Sequence, residues 1–437
     1  MLHRMPALQT ALPGLDADCN GREVRHRAKR TVTFKGGQAQ PAHRWFRLTP
    51  SFAPDLVRSY VERFGLDESS IVLDPFAGRG TTPIECKRLG ISCVGIELNP
   101  LLHFAGSVSL DWGLNHSDLQ NSADRIQSDA QGLRKQFANL SSEQFASKIG
   151  VEYPKIHNIH RWWREDVLRD LLAIKYGVKK HAPNARQRDF LLLALANILV
   201  DAASVTIGRL QLHFIDRTKV NIDAIELFSE SCNRAIFDLA QLASMNETDC
   251  RIINGNSMRI NEILMGHEFD AVITSPPYPN RYSYVWNTRP HLYFLDIFDT
   301  PRQAATLDCE TIGGTWGTAT SRHQKGEYSF TSEQAQDATA SIVEEIRPKD
   351  NLMANYVAKY FDDLGVHIGS LKRHLRKDGK CAYVVGNSRI KGSIVETDEI
   401  LARIFENHGF MVEEREEIRR RNSGKELHET TVVAIKR

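Results

Sequence analysis

At 437 residues and 41% hydrophobic content, the chain can bury a large core, and its length suggests about two or three domains. A formal net charge of +2 does not mark it as a nucleic-acid binder, so any DNA-binding face must come from local clustering. The seven cysteines (Cys19, Cys86, Cys93, Cys232, Cys250, Cys309 and Cys381) show neither CxxC pairs nor zinc-ligand spacing; they predict a reduced cytoplasmic protein without a metal site.

Residues 1–42 read as an irregular basic arm in which Arg25, Arg27, Lys29 and Arg30 crowd together, either a solvated tail or a contact to a DNA backbone. No apolar leader precedes it, so no secretion signal is expected. From residue 43, HRWFRLTPSFAPDLVRSYVERFG predicts a loop and then an amphipathic helix. SSIVLD reads as a buried strand, PFAGRG as a turn, TTPIECKRLG as a helix closed by Gly90, and ISCVGIEL as a second strand. Between 101 and 248 the pattern turns mostly helical, too long for a single crossover, and reads as an inserted subdomain. The apolar run Phe190–Val200 within it is too short to cross a bilayer and predicts a buried helix. His213, near Arg209 and Asp216, reads as a structural histidine on a helical stretch. RIINGN and FDAVITS resume the strands, and the Gly, Thr and Ser content within 286–350 predicts a long loop or mobile segment. The end reads as helix 354–375, strand KCAYVVGN, helix ETDEILARIFENHG, and the strands FMVEEREEI and ETTVVAIK joined as an antiparallel hairpin.

Two stretches carry chemistry. In Asp74-Pro75-Phe76-Ala77-Gly78-Arg79-Gly80-Thr81-Thr82 a strand gives way to a helix, the place where open α/β sheets bind ligands. Gly78 and Gly80 let the backbone approach a ligand and adopt positive φ. Asp74 at the strand tip can accept from an ammonium group, and Glu97 at the next tip can hold ribose hydroxyls. The turn is not GxGxxG, and an aspartate at its mouth is wrong for pyrophosphate. A sulfonium-bearing amino acid joined to a nucleoside fits better.

Thr274-Ser275-Pro276-Pro277-Tyr278 follows the apolar strand FDAVI. Its two prolines fix φ and remove two donors, leaving a stiff turn with outward carbonyls. An exocyclic amine is a poor nucleophile because its lone pair is delocalised into the ring. Carbonyl acceptors at Ser275 and Pro276 can take its hydrogens and favour a more tetrahedral nitrogen, and the rest is positioning. Tyr278 offers a flat face for a base flipped out of the duplex.

At these motifs the chain resembles the amino-methyltransferases of DNA, which methylate cytosine N4 or adenine N6. The resemblance covers about 43–100 and 250–437. It implies a Rossmann-like α/β fold, with a mostly parallel seven-stranded sheet, an antiparallel last strand and a large helical insert. It also implies S-adenosylmethionine as cofactor, double-stranded DNA as substrate, and a restriction–modification setting with a cognate endonuclease. Its cofactor roles fall on Asp74, Pro75, Phe76, Gly78, Gly80, Thr81, Thr82, Glu97 and Asn99, and on Asn256, where the family often has an aspartate. Arg44 and Trp45 match a segment that packs around the methionine end, although they serve equally as a structural anchor. The catalytic role falls on Ser275 through Tyr278, and the serine-first form is typical of the cytosine-N4 branch. Placing the cofactor motif before the catalytic one departs from the order common in that branch.

Adenine N6 is the closest alternative, because the same turn can serve either amine. Transfer to cytosine C5 is disfavoured, since no cysteine follows a proline. A non-catalytic nucleic-acid-binding module is disfavoured by the intact Asp74 and Pro-Pro turn. The domain reading is therefore a basic arm (1–42), a first catalytic part (43–100), a helical insert (101–248) and a second catalytic part (249–437). Within the last, 286–350 is expected to recognise DNA. Tyr282, Tyr284 and Trp286 are expected to line a base pocket or pack in the core, and Arg419-Arg420-Arg421 to meet DNA or solvent.

Overall fold

The computed structural model describes residues 39–47, 51–208, 211–245, 248–314, 326–420 and 426–437. The four basic residues of the N-terminal arm, Arg209 and Arg421 lie outside the described residues.

Helix α1 (Pro54–Phe64) starts with proline in its first turn and ends at Gly65. It leads into β1 (Ile71–Asp74), α2 (Thr81–Arg88) and β2 (Ser92–Glu97), the expected strand–turn–helix–strand unit. Seven helices then intervene: α3 (Pro100–Ser109), α4 (His116–Gln136), α5 (Ser142–Ile149), α6 (Ile159–Trp162), α7 (Glu165–His181), α8 (Ala185–Ile198) and α9 (Ala224–Leu242). Between α8 and α9 a short hairpin pairs β3 (Val205–Ile207) with β4 (Leu212–Phe214). His213 therefore sits exposed on a strand rather than on a helix. Strands β5 (Cys250–Asn254) and β6 (Phe269–Thr274) flank the short α10 (Ile260–Ile263).

The segment 286–350 differs from the expected loop. It carries α11 (Tyr284–Phe294), α12 (Pro301–Glu310) and α13 (Glu333–Ile346). Ser283 and Ser332 cap two of these with their hydroxyls, and Thr300 and Gln303 form a capping box on the third. The polar residues that look loop-forming in composition include these helix starts; residues 315–325 lie outside the described ones. The chain continues through α14 (Asn351–Leu371), β7 (Leu375–Gly386), a small hairpin of β8 (Ser388–Ile390) and β9 (Ser393–Val395), α15 (Thr397–Asn407), β10 (Phe410–Arg420) and β11 (His428–Lys436).

The main sheet has the order β10-β11-β7-β6-β1-β2-β5. All its pairings are parallel except those of β11, which runs antiparallel to both β7 and β10. This is the expected Rossmann-like arrangement with an antiparallel last strand. Alternation along each strand feeds two faces. Leu73, Val272 and Tyr383 join the core under α13–α15, while Val72, Ala271 and Ala382 pack toward α1.

Strand order reverses between β1 and β6, the switch point at which open α/β sheets hold ligands. The helical insert fills the crossover from β2 to the edge strand β5. Its core, with Trp163, Phe190 and Phe228, is continuous with Phe46, Ile84 and Leu101 beside the sheet. Arg134 on α4 bonds both Asp170 on α7 and Asp223, the N-cap of α9, locking three insert helices together. Among the described residues no helix is long and apolar enough to cross a membrane.

Candidate active site

Strands β1 and β6 are neighbours, with Leu73 opposite Val272, so both sequence motifs emerge side by side at the carboxyl edge of the sheet. A short hydrogen bond joins them: Thr274 Oγ1 donates to Asp74 Oδ1 at 2.6 Å, across 200 residues of sequence. The same oxygen accepts from the Phe76 amide at 3.1 Å, which shapes the turn. Asp74 Oδ2 is buried with no hydrogen-bond partner. Burial pushes this carboxyl up to about 6, against the opposing hydrogen bonds. Asp74 itself has no accessible surface and lies beneath the cavity wall, covered by the turn it organises.

Above it opens a cavity of about 350 Å³, within the range of small-molecule sites. One wall is the first motif: Pro75, Phe76, Gly78 and Thr81. Gly78, at φ 55, turns its amide onto Glu97 Oε2 at 2.8 Å, and the Asn99 amide binds Oε1 at 2.7 Å. Glu97 thus hangs from two backbone donors while still facing the cavity, and burial raises its carboxyl to about 7. Asn99 and Asn256 line the cavity too, although both spend their carboxamide oxygens on helix starts, at Leu101 and Met258 respectively. The Phe76 ring meets His367 edge-on at 4.9 Å. That imidazole, unremarked in the sequence, is held by the Tyr383 hydroxyl at 2.7 Å and the Ser257 carbonyl at 3.1 Å; burial lowers it to about 4, so it is neutral.

Ser275, Pro276, Pro277 and Tyr278 line the same cavity. Ser275 donates its hydroxyl to the Val384 carbonyl at 3.0 Å, leaving lone pairs on Oγ, and the Tyr278 hydroxyl lies 3.5 Å from it. Not every carbonyl of the turn points outward: that of Pro277 accepts from the Tyr360 hydroxyl at 2.7 Å. Tyr282 and Tyr284 line the cavity with rings 4.9 Å apart, whereas Trp286 packs on Trp162 of the insert. Sequence reasoning missed several lining groups. Ser51 and Phe52 precede α1, and Glu310, Thr311 and Ile312 follow from the end of α12. Arg419, on β10, lines the cavity together with Glu429 on β11; only its membership of an arginine triplet hinted at a role.

Other expected cofactor residues lie outside the cavity. Arg44 and Trp45 turn into the insert, where Arg44 Nε (2.8 Å) and Trp45 Nε1 (3.0 Å) both donate to Asp238 Oδ2. These contacts are what the anchor reading expects, because Asp238 is fully buried and needs donors. Gly80 supports the turn from behind: at φ 93, a Cβ there would lie 3.2 Å from Ile252 Cδ1. Thr82 is buried and donates to the Ile273 carbonyl at 3.1 Å, a second tie between the motif strands. Away from the cavity, Glu396, Asp398 and His428 gather three potential donor atoms within 4.8 Å. Asn387 bonds the first and third and Arg415 bonds Asp398 Oδ2, while Asp398 Oδ1 lies 3.5 Å from His428 Nε2.

Residues 34–103 match the family model N6_N4_Mtase, described as DNA methylase. The type II methyltransferase M.BsoBI of Geobacillus stearothermophilus is 23% identical over 429 residues, spanning 87% of this chain and 81% of its own. M.AvaI of Anabaena variabilis is 22% identical over 88% of this chain and 82% of its own, and M.MvaI of Kocuria varians 24% over 84% and 81%. Matches of that reach take in both motifs and the helical insert. Among solved structures, the rRNA methyltransferase aviRa from Streptomyces viridochromogenes overlaps at 10% identity and a TM-score of 0.33, covering 94% of this chain and 96% of its own. The fold rests on the strand order, not on that overlap.

Proposed function

We propose, for a chain whose family match and relatives set it among the DNA amino-methyltransferases, that it transfers the methyl group of S-adenosylmethionine to the exocyclic N4 amine of cytosine in DNA. One observation carries this reading: Gly78 and Glu97 line the same cavity as Ser275, Pro276, Pro277 and Tyr278. The serine-first catalytic turn favours cytosine; adenine N6 is the second reading, since the turn can present acceptors to either amine.

The residues fit the cofactor. The partnerless Asp74 oxygen, closed off beneath the wall, suits its ammonium through a water within the turn. Glu97 suits the ribose hydroxyls, and Phe76 offers the adenine an aromatic face. The cofactor supplies an activated methyl group on a sulfonium. Ser275 Oγ and the Pro276 carbonyl take the hydrogens of the target amine, and Tyr278 holds the base by its face. The segment 286–350, reaching the cavity through Glu310–Ile312, is the part we assign to contacting the duplex. The designation type II carried by the relatives supports a companion endonuclease.

Unmethylated duplex DNA incubated with the protein and S-adenosylmethionine is expected to yield N4-methylcytosine by nucleoside mass spectrometry. N6-methyladenine alone would keep the chemistry and replace the base; no methylated nucleoside, with cofactor bound, would overturn the DNA reading.

Glu97 also gives the site a pH dependence. Only its ionised form accepts from two amides and the ribose together. Because its folded carboxyl titrates at about 7, cofactor affinity should be full above that pH. It should fall about tenfold per unit below it. Asp74, near 6, adds a second loss lower down. Calorimetry across this range should show the upper step, and Glu97→Gln should bind weakly without it; a wild-type affinity flat down to the Asp74 step would refute the role.

A further inference from the structure

Arg419 and Glu429 have no part in the mechanism above, yet both reach the cavity that holds Ser275 and Tyr278. Arg419 Nε donates to Glu429 Oε2 and Nη2 to Oε1, each at 2.7 Å, a side-on fork across the neighbouring strands β10 and β11. The fork leaves a defined remainder. One Nη2 hydrogen and those of Nη1 point away from the carboxylate, and among the described residues Nη1 has no partner. The Arg419 side chain is 34% exposed and that of Glu429 13%, so the carboxylate is the sheltered holder and the guanidinium the presented group.

From this arrangement we infer that Arg419, oriented by Glu429, reads the O2–N3 edge of the target cytosine and so sets the choice of base. The inference rests on the proposed cytosine methylation and adds the residue that discriminates. The two hydrogens on the outer edge of a guanidinium match two acceptors with parallel lone pairs, a carbonyl oxygen and the ring nitrogen beside it. Cytosine has that pair in O2 and N3, with N3 next to the carbon bearing the reacting amine. Adenine has a C–H beside every ring acceptor, so no outer edge of it receives both hydrogens. Burying the fork against adenine would strand a charged donor, which penalises the wrong base more than it rewards the right one. Glu429 is a positioning residue: without it, the guanidinium on an exposed strand end would sample many rotamers.

The test uses the full-length protein and a duplex carrying its mapped target, with the target cytosine either intact or replaced by 3-deazacytosine. Arg419→Ala is expected to lower kcat/KM on the intact duplex about 10- to 100-fold, with S-adenosylmethionine affinity at the wild-type level by calorimetry. Arg419→Lys, which keeps the charge and a bond to Glu429 but not the fork, should resemble alanine. The decisive readout is the cycle. The 3-deaza replacement should cost the wild type a further factor that largely disappears in both variants. An equal penalty in all three proteins, or variants within about threefold of wild type, would overturn the inference and leave Arg419 a phosphate contact or a hairpin brace. A wild type that forms no N4-methylcytosine also overturns it, but that result is seen before any variant is made and is a failure of the functional reading itself.

Discussion

Alanine in place of Asp74 is expected to weaken S-adenosylmethionine binding about a hundredfold, the scale of a lost charge-assisted hydrogen bond of roughly 2–3 kcal/mol. The expectation comes from a carboxylate with one oxygen committed to Thr274 and Phe76 and the other buried without a partner. Alanine also strands the Thr274 hydroxyl and the Phe76 amide, so the turn itself would suffer. Asp74→Asn separates the two effects. Its carboxamide oxygen keeps both internal bonds, while an NH2 group replaces the open acceptor. Calorimetry with S-adenosylmethionine should show the asparagine variant folded yet weakened at least about tenfold. Wild-type affinity in that variant would reduce Asp74 to a brace between the two turns.

The second large effect should come from Tyr278→Ala, with the opposite signature. Tyr278 touches Ser275 within the catalytic turn and lines the cavity from outside the cofactor motif. Loss of a stacking face for one base is worth roughly 1–3 kcal/mol, so single-turnover methylation should slow about 10- to 100-fold. Cofactor affinity should stay at the wild-type value. Equal single-turnover rates would remove the stacking role. A matching loss of cofactor affinity would mean that the ring holds the cavity together rather than the base.

The strand tips were legible because they depend on local pattern: a short apolar run, a glycine turn, and an acid at the end of the next strand. The same holds for the terminal hairpin, whose alternation survives its charged face. What was not legible depends on distant partners. Nothing near Arg44 and Trp45 announces Asp238, 193 residues beyond Trp45, which takes both side chains away from the cavity. Nothing near Phe76 announces His367. The helices in 286–350 were missed because the Gly, Thr and Ser content of residues 311–330 stood for the whole window, whereas the helices flank that stretch, α12 ending at Glu310 and α13 starting at Glu333. Arg419 stood out only as one of three arginines. Its bidentate partner on the adjacent strand, across the hairpin, distinguishes it from Arg420, which pairs with Glu417 on its own strand.

The hydrogen bond from Thr274 to Asp74 has a consequence for topology. It fixes the two turns relative to each other through adjacent strands, not through the chain between them, so the site is indifferent to which turn is synthesised first. A circular permutant that ran β6 before β1 would assemble the same floor, provided the new termini fell in a surface connection and the old ones could be bridged. The geometry of the two turns therefore does not dictate the order of the motifs along the chain. The crossover that absorbs the insert ends at the edge strand β5, beyond which the sheet has no further strand.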